Sequence, residues 1–325
     1  MGRVLFVSEH ELTRAENLKA VFDAYDGNKE YMRGIYHMQN ASQMGFSVVV
    51  CDSLPVYMPN KGDCKSVVIG HGITGDKLYA LDEKRPGIDT RAFEQIDVAT
   101  CASTKTVDIV ARQFGIPLER VEAVGMPRTD AYIGKRKGYG HTIMAGYRRA
   151  YFYAPTFRGK YDGERLPSID WRLLDEILED DEVIVVKRHY FQRDKIVCAQ
   201  LDHVKEVEPC EASAPYLIDC DVIVTDYSSI LFDAYLLGKP SVLTVDDMGS
   251  YLKTRGMYFD YPKQYSSRYM TVEGREREML EAMREAAENG MMETERECLS
   301  TVADMCDGHS CKRVCDLVRR FARCT

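Results

Sequence analysis

A cluster of polar residues interrupts an apolar pattern at Thr225-Asp226-Tyr227-Ser228-Ser229, between the strand-like Val222-Ile223-Val224 and a short amphipathic segment that stops at Gly238 and Pro240. Hydroxyls placed where a strand hands over to a helix sit beside unpaired backbone N–H groups and the positive end of the helix dipole, an environment that favours phosphate. Ser228 and Ser229 are also natural N-caps, so a structural role competes. Two serines, a threonine and a tyrosine within five residues nevertheless exceed what capping needs. Asp233 falls one turn beyond Ser229 on the same helix face, where its charge would repel phosphate and suit a ribose hydroxyl. Asp226 is read as organising the turn.

Other apolar runs also end in groups capable of chemistry. Ser66–Ile69 runs into Gly70-His71-Gly72, with Thr74 and Lys77 following. Flanking glycines leave the imidazole uncrowded, and an unperturbed histidine takes or gives a proton near neutral pH. A histidine packed in a Gly-rich turn is the competing reading. Tyr151–Tyr153 leads to Thr156 and Arg158, a hydroxyl and a forked donor suited to phosphate oxygens. Val183–Val186 leads to Lys187-Arg188-His189-Tyr190, and Asp246-Asp247 with Arg255 follow the run Ser241–Val245.

The elements that must position these groups alternate strand-like runs with helical periodicity, which predicts an α/β protein with parallel sheets and crossover helices. In the first half the strands are Val4–Val7, Ser47–Cys51, Ser66–Ile69, Val98–Cys101 and Val121–Val124; in the second, Tyr151–Tyr153, Val183–Val186, Val204–Val207, Val222–Val224 and Ser241–Val245. Ser103 and Gly115 bracket one helix, and Ser168 is placed as the cap of the helix bearing Leu173, Leu174, Ile177 and Leu178. Beyond residue 270 the pattern is helical over 273–288, 293–303 and 303–323. The basic, Gly-bearing stretch Gly134–Gly146 marks a domain boundary, giving an N-terminal domain over 1–145 and a C-terminal one over 146–325. Closure of the two Rossmann-like domains about that linker would exclude water from a cleft at the strand carboxyl ends. Lys135-Arg136-Lys137 and Arg148-Arg149 are read as a solvated linker helix rather than a lipid contact.

Composition narrows the function. With 43 basic against 51 acidic residues and a net charge of −8, the chain lacks the basic surface that coating nucleic acid demands. An anionic substrate would need a local basic pocket. The 11 cysteines are scattered, the first residues read as a strand rather than a signal peptide, and free thiols in a reducing cytoplasm are expected. Cys306, His309, Cys311 and Cys315 match no common zinc module and are read as packing residues. His10, His37, His141, His203 and Trp171 are read as structural or surface groups. There is no P-loop and no GxGxxG, and no acidic pair at metal-site spacing, so phosphate charge falls to Arg, Lys, His and backbone donors.

In its combination of YAPTFR (153–158), VVKRH (185–189), DVIVTDYSSILFDAYLLGKP (221–240) and Asp246…Tyr251…Arg255-Gly256, the chain resembles the CDP-glycerol glycerophosphotransferases of bacterial wall teichoic acid synthesis. His71-Gly72 with Lys77 is similar to that family's first His-Gly motif, and Asp307-Gly308 to its final helix signature. Gly70 stands where the family commonly has Trp, and Tyr190 where Pro is usual; both bear on acceptor choice more than on fold.

The resemblance implies two Rossmann-like domains of GT-B type with a helical tail. It implies His71 as the base in an acceptor-binding domain, with Gly72, Thr74 and Lys77 on the acceptor side. In the second domain His189, also catalytic, would join Lys187, Thr225, Ser228, Ser229 and Arg255 around the donor diphosphate, with Arg158 helping and Asp233 at the ribose. The implied donor is CDP-glycerol or a related CDP-alcohol, with no obligatory cofactor and no metal. The implied acceptor is a lipid-linked or polyol-phosphate hydroxyl, and the implied location is cytoplasmic, peripheral on the inner face of the membrane. Two alternatives share the architecture: a nucleotide-sugar glycosyltransferase or epimerase, and a non-catalytic nucleotide-binding subunit.

Overall fold

The computed structural model describes residues 2–52, 61–70, 76–78, 91–158, 165–192, 195–197 and 200–323. Two compact units divide the chain: Met1–Ile133 with Ser300–Thr325, and Gly134–Leu299.

In the first unit six parallel strands, β1 (Arg3–Ser8), β2 (Lys29–Arg33), β3 (Phe46–Cys51), β4 (Lys65–Val68), β5 (Val98–Cys101) and β6 (Val121–Ala123), lie in the order β2-β1-β3-β4-β5-β6. Both faces are covered, which is why the strands read as continuous apolar runs. Val4, Phe6, Val48 and Val50 pack with residues of α1 (Glu16–Ala24), while Leu5, Val7, Val49 and Cys51 join Phe93, from α2 (Arg91–Glu94), and Phe114, from α3 (Val107–Phe114). Ser103 accepts from Lys105 N ahead of α3, and Gly115 closes that helix at φ 60°, as expected. The edge strand β2, KEYMR, escaped the sequence reading because it is only half-buried and has no apolar run.

The second unit holds β7 (Arg149–Tyr153), β8 (Glu182–Val186), β9 (Val204–Glu206), β10 (Val222–Thr225), β11 (Ser241–Thr244) and β12 (Tyr269–Met270), all parallel, in the order β12-β11-β10-β7-β8-β9. Its helices are α4 (Trp171–Ile177), α5 (Ala214–Asp219), α6 (Ile230–Leu236), α7 (Met248–Thr254) and α8 (Glu276–Asn289), with α9 (Glu293–Val302) spanning the boundary. Tyr151, Tyr153, Ile184, Val186, Val222 and Val224 pack against α4 and α8, and Phe152 stacks on Tyr216 of α5 at 5.6 Å on the other face. Asp170, not Ser168, caps α4, accepting from Arg172 N and Leu173 N at 3.1 Å.

The boundary expected between 145 and 146 moves. Gly134–Gly146 is a run of turns bound into the second unit: Asp219 accepts from Gly138 N (2.8 Å), Gly140 N (2.9 Å), Thr142 N (2.8 Å) and Thr142 Oγ1 (2.8 Å). Gly140 lies so close to Pro215 that an added Cβ would come within 2.1 Å of its carbonyl oxygen. The expected linker helix is absent from this stretch, and Lys137, Arg148 and Arg149 are paired with Asp221, Asp181 and Glu182. The tail, in turn, belongs to the first unit. There α10 (Ser310–Arg323) is capped by Asp130, which accepts from Ser310 N (3.1 Å) and Cys311 N (2.7 Å). It starts at Ser310 rather than at 303 because the chain turns through Gly308 at φ 88°. Cys306 and Cys315 are buried packing residues; among the described residues no His/Cys/Asp/Glu group is arranged to hold a metal.

Glu182 ties the second sheet to α8. Its side chain is fully buried and accepts from Tyr151 Oη (3.0 Å), Arg284 Nε (3.0 Å) and Glu179 N (3.1 Å). Burial alone would raise its pKa; the Arg284 fork, the Glu179 N–H and the Tyr151 hydroxyl outweigh burial and hold it at about 2. The stability this carboxylate contributes is therefore complete above its ordinary 4.5 and lost as pH falls toward about 2. In urea unfolding, the deficit of Glu182→Gln relative to the parent should shrink across that window. A deficit that stays constant would place the acid sensitivity on other carboxylates.

Candidate functional site

In the second unit the strand order reverses between β10 and β7. Parallel α/β sheets place ligands in the crevice at the carboxyl ends of the two strands flanking such a point. The loops there are Ala154–Arg158 and Asp226–Ser229, two of the segments singled out by sequence.

Beneath them lies a buried ion network. Arg158 (side chain 4% exposed) donates from Nη2 to Asp226 Oδ2 (2.8 Å) and Asp247 Oδ1 (3.0 Å), from Nε to Asp247 Oδ2 (2.7 Å) and from Nη1 to Thr156 O (2.6 Å). Asp226 Oδ1 also accepts from Thr156 N at 2.8 Å, and Tyr227 Oη donates to Asp247 Oδ1 at 3.1 Å. The guanidinium lies 5.2 and 5.7 Å from the ring centroids of Tyr227 and Tyr251, which stack on each other at 3.6 Å. Burial would lower the Arg158 pKa, but the two carboxylates overcome this and raise it. Arg158 is therefore a positioning residue locking three strand-end loops together, rather than the phosphate ligand expected from sequence. Thr225 is likewise redirected: fully buried, it donates from Oγ1 to Ala154 O at 2.7 Å and fastens β10 to the end of β7. Asp233, only 3% exposed, is packed within α6 rather than presented to a ribose.

Above this layer one imidazole and one guanidinium gather on a single ring. Phe157 has the His189 ring at 5.0 Å and the Arg255 guanidinium at 4.9 Å, and Arg255 also lies 5.1 Å from the Tyr251 ring. His189 Nδ1 accepts the Phe191 N–H at 3.2 Å, so in the neutral ring the proton resides on Nε2, a donor suited to a phosphoryl oxygen. Ser228 and Ser229 are half-buried. Ser229 is the N-cap residue of α6 and makes no side-chain capping bond. The first-turn N–H groups of the seven-residue α6 are already bonded, Leu231 N to Ser228 O at 3.2 Å and Phe232 N to Ser229 O at 3.1 Å, so the serine hydroxyls are what this turn offers. Thr156 Oγ1 is buried with no hydrogen-bond partner, an arrangement that costs about 1–3 kcal/mol unless a ligand or water completes it. Lys187 is held to one side, Nζ donating to Pro209 O at 3.2 Å. Phe157 was missed by sequence reasoning although it sits inside YAPTFR, because an aromatic residue carries no phosphate chemistry of its own.

In the first unit His71, Gly72 and Thr74 lie outside the described residues. The residue before them is fixed by Asn17, 2% exposed on α1, whose Nδ2 donates to Gly70 O (2.8 Å) and whose Oδ1 accepts from Arg128 N (2.9 Å). A polar side chain among the buried Leu18 and Val21 of α1 was the available sequence signal. Lys77 is half-buried, with its carbonyl accepting from Gln113 Nε2 at 3.1 Å. Where this sheet reverses, between β1 and β3, Ser8 Oγ donates to the buried Asp52 Oδ2 at 3.1 Å. A cavity of about 340 Å³ lined by Phe93, Phe114, Ile116 and Arg120 lies where α3 hands over to β6, so it adjoins the amino end of that strand.

The model of the CDP-glycerol:poly(glycerophosphate) glycerophosphotransferase family matches residues 28–320. The chain belongs to this family. Among curated relatives, the teichoic acid glycerol-phosphate primase of Bacillus subtilis is 25% identical over 244 residues, 71% of this chain and 62% of the relative. The teichoic acid poly(ribitol-phosphate) polymerase of Bacillus spizizenii is 25% identical over 80% of this chain and 45% of its own length. The chain thus spans about half to three-fifths of these relatives. Among solved structures, the wall teichoic acid polymerase TagF superposes with a TM-score of 0.76 at 18% identity, covering 99% of this chain and 89% of that one. MnaA of S. aureus, in a structure with UDP, gives 0.61 at 13% identity, covering 99% and 97%. Both likenesses establish the twin α/β fold.

Removing Arg158 leaves two buried carboxylates without their cation. Arg158→Ala should therefore destabilise the second unit by about 3–5 kcal/mol in chemical unfolding. A loss below about 1 kcal/mol would show that the network is not what holds the three loops.

Proposed function

We propose that the chain transfers glycerol phosphate, or another polyol phosphate, from a CDP-activated donor to a hydroxyl of a teichoic-acid-like or polyol-phosphate acceptor, releasing CMP. The observation that carries this reading is that His189 and Arg255 lie 5.0 and 4.9 Å from the Phe157 ring, on the loop after β7 at the strand-order reversal whose other flanking loop holds Ser228 and Ser229. Family membership supports the reaction class, and the names of the relatives, which divide between glycerol phosphate and ribitol phosphate, support a CDP-activated polyol as donor.

In this reading the acceptor oxygen attacks the β-phosphorus of the donor. A new P–O bond forms, the bridging P–O bond breaks, and the electron pair leaves with CMP. Arg255, the Nε2–H of His189 and the serine hydroxyls face the phosphoryl oxygens and offset the charge that develops on them. Thr156 Oγ1, which lacks a partner, is an additional donor for the same group. His71 takes the proton of the acceptor hydroxyl, with Gly72, Thr74 and Lys77 on the acceptor side. No part of the reaction requires an obligatory cofactor. Among the described residues no helix is long and apolar enough to cross a membrane, and a lipid-linked acceptor would bring the protein to the cytoplasmic face of the membrane as a peripheral partner.

CDP-glycerol and CDP-ribitol, each supplied with a lipid-linked acceptor, should release CMP; release of CDP or UDP from a nucleotide sugar would instead mark glycosyl transfer and overturn the reading. His71→Ala should lower turnover ~10²- to 10⁴-fold while leaving donor affinity intact. Arg255→Ala should weaken CDP-glycerol binding in calorimetry by roughly 10- to 150-fold, the value of a charge-assisted contact, without loss of thermal stability. Unchanged binding in Arg255→Ala would remove that residue from the cradle.

A further inference from the structure

The loop after β8 carries two large aromatic side chains in solvent. Tyr190 is 55% exposed and Phe191 59% exposed, and their rings lie 4.2 Å apart. They are not loosely tethered. Tyr190 stacks on His189 at 4.4 Å and 27°, Phe191 meets Phe157 edge-on at 5.4 Å, and the Phe191 N–H is bonded to His189 Nδ1. The pair thus continues, one ring further out, the same stack that holds His189 and Arg255. A ligand that covers it must be anionic at one end, to meet the Arg255 guanidinium and the Nε2–H of His189, and flat with a π-face at the other. That combination describes a nucleotide better than a polyol, a polyol phosphate or an acyl chain.

We propose that Tyr190 and Phe191 form the stacking platform for the nucleobase of the donor, with its phosphates directed toward His189 and Arg255. This rests on the donor reading above and adds the residues that hold the base. Stacking on an aromatic face is worth a factor of roughly 5 to 150 per base and tolerates any base, because every base has a π-face. Tyr190 is also the residue that departs from the proline usual at this position in the family. This chain therefore draws part of its donor affinity from a ring that a proline would not provide.

The test is calorimetric titration of the whole protein with CDP and with inorganic pyrophosphate, which keeps the phosphates and lacks the base. Tyr190→Ala and Phe191→Ala both preserve the backbone N–H that bonds to His189. Each should weaken CDP binding about 5- to 150-fold while leaving pyrophosphate binding within about twofold. Tyr190→Phe should restore the parent affinity, and Arg255→Ala should weaken both ligands. If the alanine variants bind CDP like the parent, or lose CDP and pyrophosphate equally, the platform is refuted while the phosphate cradle stands. If the parent binds neither ligand, the donor reading falls and the platform with it.

Discussion

The second unit depends on a single guanidinium held between two carboxylates in a nearly dry layer. Arg158 engages Asp226 from the loop after β10, Asp247 from the loop after β11, and the carbonyl of Thr156 in its own loop after β7. A buried charge of this kind adds little net stability against an apolar alternative, but it tolerates few other geometries. Each loop it grips carries a candidate ligand residue a few positions on: Phe157 beside Arg158, Ser228 and Ser229 after Asp226, and Arg255 at the end of the helix that Asp247 leads into. Rigidity below makes placement possible above. The rings of Tyr227 and Tyr251 complete the enclosure, and Tyr251 has the guanidinium of Arg158 at 5.7 Å and that of Arg255 at 5.1 Å.

The two units solve similar problems with different strand orders. In each, all six strands run parallel and both faces are covered, so reactive groups are confined to strand ends. The second sheet reverses between β7 and β10, whose loops carry Phe157 and the two serines, while His189 and Arg255 follow the next strands out, β8 and β11. The first reverses between β1 and β3, where the buried Ser8–Asp52 pair sits, one strand away from β4. Asn17 does for Gly70 what Asp226 does for Thr156: a buried polar side chain grips a backbone group in a strand-end segment.

Much of this was legible in the sequence because fully buried parallel strands leave an unmistakable apolar run. Every strand with such a run was located to within a residue or two. The half-buried β2 and the two-residue β12 leave no such run, and both were missed. The site segments were found for a related reason, since polar residues directly after a buried strand have few purely structural explanations. Their individual roles were less accessible. Whether an arginine faces a ligand or a pair of carboxylates depends on residues 68 and 89 positions away, as it does for Arg158 with Asp226 and Asp247. Thr225 and Asp233 likewise have the right chemistry and the wrong exposure. The misplaced boundary has the same origin: glycine-rich, basic composition suggests a free linker, and only the distant Asp219 shows that the segment is strapped down.

The helix α10 packs against the strands at the other extreme of the sequence, and Gly2 N donates to Ala322 O at 3.1 Å. The first unit is consequently assembled from two separated stretches, with the whole of the second inserted between them. On the ribosome, where domains close in the order in which their pieces emerge, residues 134–299 have everything their core requires before the surrounding unit does. The sheet bearing β1 must wait, with the face that α10 will cover still open to solvent, until residues 310–323 have been made. The unit whose strands emerge first is therefore the unit that finishes folding last.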